Sequence, residues 1–60
     1  MKLRDFADMV DDSNVKVHLK DNCWLNVEDT LHNLLKGYSN RDIIRISSDA
    51  DKKTIIVEVS

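Results

Sequence analysis

Proline is absent from this chain, glycine and cysteine occur once each (Gly37 and Cys23), and aromatic residues make up 5% of it. With no proline and no glycine- or serine-rich tract, nothing marks a linker or internal boundary, so residues 1–60 read as a single small domain. A lone cysteine cannot close an internal disulfide, and small extracellular domains usually carry several. A cytoplasmic location is therefore expected. One glycine excludes a glycine-rich phosphate loop. The opening residues Met1-Lys2-Leu3-Arg4-Asp5 lead into a mixed polar segment, with neither the apolar run of a signal peptide nor that of a membrane span. No membrane partner is expected. Charge of one sign is lacking too: nine Lys and Arg face eleven Asp and Glu, for a net −2. No field draws in a polyanion, and nucleic acid is disfavoured as a partner.

What is present is an ordinary globular balance, 42% apolar and 33% charged, unlike a disordered chain. A chain this short buries only roughly 60% of the surface it exposes when unfolded, so its core must be efficient or shared. Leu3, Phe6, Ala7 and Val10 recur at i, i+3, i+4, i+7 and predict a helix over about residues 2–11. Asp11 and Asp12 oppose the dipole at its carboxyl end and stop it. Val15, Val17 and Leu19 alternate with polar residues, as in a half-buried strand. Asp21-Asn22 supplies turn chemistry, and Cys23-Trp24-Leu25 reads as the return strand. An even loop sets Leu19 opposite Trp24 and turns the indole to the core; an odd loop pairs Leu19 with Leu25 and turns Trp24 away. The sequence leaves both registers open.

Val27, Leu31, Leu34, Leu35 and Tyr38 form a stripe that predicts a second helix over roughly 27–36, with Asn26 as N-cap and Gly37 as stop. Two β-branched runs, Asp42–Ser47 and Thr54–Val59, flank a polar turn and form a second hairpin. Pairing Ile46 with Ile55 and Ile44 with Val57 gives one apolar face and leaves Ile43, Arg45, Ile56 and Glu58 on the other. The expected fold is a two-layer α+β domain of order α-β-β-α-β-β, an antiparallel four-stranded sheet with both helices on one face.

Chemistry-bearing motifs are scarce. Cys23 with His18 or His32 has the atom types of a nucleophile–base pair or part of a zinc site, but no matching spacing. Asp49-Ala50-Asp51 lacks the glycine and distal glutamate of a calcium loop. No catalytic, cofactor or metal site is assigned, and the chain is not expected to be an enzyme. Asp5, Asp8 and Asp12 follow helical spacing and form a candidate acidic stripe. Trp24 is the candidate anchor, since tryptophan is favoured at the centres of interfaces.

From Lys2-Leu3-Arg4-Asp5-Phe6 through Asp11-Asp12 to Val15-Lys16-Val17-His18-Leu19, and again in Ile43-Ile44-Arg45-Ile46-Ser47-Ser48 and Ile55-Ile56-Val57-Glu58-Val59, the chain resembles small proteins encoded by phages and prophages of Gram-positive bacteria. Some phage proteins of this size inhibit host defence, anti-CRISPR proteins among them. The resemblance implies a host-cell context and carries over no site residues. The expected function is a non-enzymatic protein-binding module that inhibits a host protein, through Trp24, Ile43, Arg45, Ile56, Glu58, Asp5, Asp8 and Asp12. The alternative is an oligomeric small-ligand or nucleotide-sequestering protein, in which several copies build the pocket. A homodimer is expected on either reading, through the face bearing Ile43 and Ile56 or an edge formed by the last strand.

Overall fold

A computed structural model describes residues Met1–Ser60. It contains α1 (Leu3–Asp8), β1 (Lys16–Lys20), β2 (Asn26–Thr30), α2 (Leu31–Tyr38), β3 (Ile43–Asp49) and β4 (Thr54–Val59). The order is the expected one, and the domain is a two-layer α+β fold on a four-stranded sheet. No helix is long and apolar enough to cross a membrane.

Helix α1 is shorter than its apolar spacing suggests. It starts where the Asp5 carboxylate accepts the Lys2 backbone N–H at 3.0 Å, and it ends at Asp8 with no basic residue in its last turn. Asp12 lies beyond it and accepts the Asn14 N–H in a turn.

The larger correction concerns Asn26–Thr30, expected to open the second helix. These residues form the return strand, pairing Leu19 with Val27 and Lys20 with Asn26, while Asp21–Leu25 becomes a loop. Helix α2 follows β2 without an intervening loop. Its N-cap is Thr30, not Asn26: the Thr30 hydroxyl accepts the Asn33 N–H at 3.3 Å. Asp29 accepts the Asn33 side-chain amide and the Thr30 N–H, which together hold its carboxyl below the usual aspartate value. Gly37 lies inside α2 rather than ending it.

The sheet order is β2-β1-β4-β3. Each hairpin is antiparallel, but the central pair β1 and β4 is parallel, Val17 opposite Ile55 and Leu19 opposite Val57, so the sheet is mixed rather than all antiparallel. The reason is α2. It carries the chain back to the end where β2 began, so β3 runs in the direction of β2, and the partners β1 and β4 both run the other way. The last strand is thereby central, and the edges are β2 and β3.

Leu3, Val17, Leu19, Leu25, Leu31, Leu34, Val57 and Val59 make one buried core between sheet and helices. Strand β3 extends past this cover. Its register sets Ile46 opposite Val57 and Ser48 opposite Ile55, two residues away from the expected pairing. A bulge between Ile43 and Arg45 inserts Ile44 as an extra residue. Ile43 therefore pairs with Val59 and packs against the core, not on the open face. Ile44 and Ile46 are left 52% and 44% exposed.

Candidate interaction surface

The most exposed large apolar side chain is Trp24, at 83%, on the loop between β1 and β2. The core placement left open by the sequence does not occur. The loop is held from within by one carboxylate: Asp21 Oδ1 accepts the backbone N–H groups of Cys23, Trp24 and Leu25 at 2.8, 3.1 and 3.0 Å. The Asp21 N–H in turn donates to the Leu25 carbonyl, and the Leu25 side chain is buried in the core. Aspartate does this well because its short side chain reaches the backbone two residues on. With Leu25 anchored beneath and three amides gathered behind, the indole has nowhere to go but outward.

A second tie fixes the loop to the rest of the molecule. Arg41 Nη2 donates to Asp21 Oδ2 at 2.9 Å, and Arg41 Nε donates to the Ser60 carbonyl at 2.7 Å. The arginine backbone is bound as well: its N–H donates to the Tyr38 carbonyl and its carbonyl accepts the Leu3 N–H. One residue thus joins the Trp24 loop, the end of α2, the start of α1 and the end of β4. The Cys23 N–H, then the Leu25 N–H and the Arg41 guanidinium, lower the Asp21 pKa against the opposing effect of desolvation. The carboxylate stays ionised well into mild acid.

The other expected contact residues are scattered. Arg45 and Glu58 are opposite one another on the open sheet face, with Ile56 half-buried on the same face beside His18 and Ser47. That face is otherwise polar, carrying Lys16, Lys20 and Glu28. Ile43 belongs to the core side, as above. Asp5 is spent on capping α1, Asp8 is exposed at its end and Asp12 sits in the following turn, so the three make no continuous helical stripe. His18 is on the open face, hydrogen-bonded to Asn26, whereas His32 is exposed on α2 in the other layer and Cys23 is on the loop. No group of three His, Cys, Asp or Glu side chains is brought together.

The role of Arg41 escaped the sequence reading. It lies in a short polar connector, and only the three-dimensional meeting of Asp21 and Ser60 reveals it.

Fold and site define a class: a small two-layer α+β domain, without an enclosed pocket, that presents a pinned, tryptophan-tipped loop. Beyond that class, no family model, curated protein or solved structure matches the chain.

Proposed function

We propose that this chain is a non-enzymatic protein-binding module whose contact is centred on Trp24. The observation that carries the reading is the exposure of the largest apolar side chain on a loop in which three successive backbone N–H groups are held by the Asp21 carboxylate. Burying a large apolar side chain is worth about 1.5–3 kcal/mol, which a domain this small forgoes by leaving the indole in water. A rigid loop recovers that energy on association, because little ordering remains to be done when a partner arrives. Tryptophan is over-represented among the residues that dominate interface energetics. The resemblance to small phage proteins makes a host protein, in particular a defence component in the host cytoplasm, the partner to test first.

The test is affinity capture from a Gram-positive lysate using the parent and Trp24→Ala side by side, with mass spectrometry of retained proteins and extracted metabolites. A protein retained by the parent and lost by a folded Trp24→Ala supports the proposal. A protein retained equally by both removes Trp24 from the contact, and a retained metabolite with no protein points to the sequestering alternative.

A further inference from the structure

We propose that β3 is a self-association edge, at which a second copy of this chain adds its own β3 antiparallel across a two-fold axis. The backbone supplies the opportunity. On its inner side β3 pairs with β4; on its outer side only Ile43 is occupied, its N–H donating to the Met1 carbonyl beside the Lys2–Asp42 bridge. Beyond Ile43 the outer edge has no backbone partner, and β3 is one of the two strands that end the sheet. Such an edge templates strand addition unless something guards it. No proline or covering helix does so here, and Ile44 and Ile46 are exposed along it.

Charge selects a second copy and sets the register. Arg45 makes no ion pair within its own chain, and Asp49 uses only Oδ1 to accept the Asp51 and Lys52 N–H groups, leaving Oδ2 free. Arg45, Ser47 and Asp49 share one face of β3. A two-fold axis through Ser47 sets Arg45 opposite Asp49 of the second copy, twice, with Ser47 against its own symmetry mate. Opposite charges placed directly across a strand pair are stabilising. On the other face Ile46 and its mate become diagonal neighbours, so both copies of Ile46 lose water. An axis through Ile46 would instead bring the two Arg45 side chains into diagonal repulsion and push Asp49 toward the Ile43 edge that Met1 occupies. The closed two-fold pair forms an eight-stranded sheet and leaves the Trp24 loops free, because they belong to the β1–β2 end of the sheet.

Sedimentation equilibrium at about 100 µM, with cysteine cross-linking in a Cys23→Ser background, tests it. The parent is expected at twice 6.9 kDa, and Arg45→Asp, which sets like charges across the axis, is expected to halve that mass. Ser47→Cys is expected to oxidise to a covalent dimer at least tenfold faster than Ile46→Cys, because only position 47 meets itself. All three positions are exposed, so folding is not at risk. A parent mass of 6.9 kDa, a dimer indifferent to Arg45→Asp, or faster cross-linking through position 46 overturns the proposal.

Discussion

Replacing Leu31 with alanine removes the side chain at the centre of the fold. Leu31 is the first residue of α2, fully buried, and its N–H donates to the Val15 carbonyl, so it joins helix, sheet and the segment before β1. The substitution keeps the backbone bond and deletes only packing. A buried leucine truncated to alanine costs about 2–5 kcal/mol, the spread depending on how far the cavity collapses. Here the rest of the core is itself buried, with Val17, Leu19 and Val57 on central strands, so little collapse is expected and the upper half of the range applies. A domain of this length is worth about 3–9 kcal/mol in total. Leu31→Ala should therefore lower the midpoint of thermal unfolding by roughly 15–40 °C or abolish the cooperative transition. Urea and thermal unfolding followed by circular dichroism read this directly, with His32→Ala, one exposed residue along, expected within about 0.5 kcal/mol of the parent. A Leu31→Ala protein that unfolds at the parent's midpoint with the parent's slope would refute the core described above.

Asp21 gives a pH prediction. Its folded pKa is depressed, so its contribution is fully present above the ordinary aspartate value of about 4 and is lost as pH falls through the lower folded value. Acid titration followed by Trp24 fluorescence should show a transition below about pH 4 that Asp21→Asn removes; an identical transition in the variant would show that another carboxylate governs it. Trp24→Ala should leave unfolding within about 0.5 kcal/mol of the parent while weakening partner binding by about 30-fold or more, measured by calorimetry once the partner is in hand. Gly37→Ala should stabilise by about 0.4–1 kcal/mol, since Gly37 is helical, has no positive φ, and an added Cβ would meet nothing within 4 Å; a loss of stability in denaturant unfolding would contradict that geometry. Thr30→Ala should cost about 0.5–2 kcal/mol by the same measurement, through loss of the α2 N-cap, and no change would mean that Asp29 alone closes the helix start.

Local patterns proved readable where one neighbour decides them. The alternation Val17, Leu19 gave β1, the stripe Leu31, Leu34, Leu35, Tyr38 gave most of α2, and the β-branched runs gave β3 and β4. Val27 failed because it stands four residues before Leu31 and fits the helical stripe, yet its partner across the sheet is Leu19. A five-residue strand with one apolar side chain has no periodicity of its own, and pairing with β1 overrides propensity. Ile43 failed for a related reason: the bulge after it reverses the alternation, and a bulge leaves no trace in the pattern of β-branched residues. Parallel pairing of β1 with β4 depends on the return path of α2, a property of the whole chain. Trp24 stood out by residue type alone. Its exposure did not, because it follows from a five-residue loop closed by Asp21.

The parallel centre of the sheet also sets the order in which the molecule can assemble. Both hairpins are local, but Val17 must find Ile55 with β2, α2 and β3 lying between them in the chain, and such distant pairing is slow to close. The ends of the chain, meanwhile, flank the same spot: the Met1 carbonyl accepts the Ile43 N–H, and the Ser60 N–H donates to the Asp42 carbonyl. Joining them with a short linker and opening the chain at Ala50-Asp51-Lys52 would produce a circular permutant in which β4, α1 and β1 follow one another. The slowest contact would then become a β-α-β unit, with α1 as its crossover helix. Without that permutation β4 and β1 reach one another only by way of β2, α2 and β3, a route that slows folding more than it lowers stability.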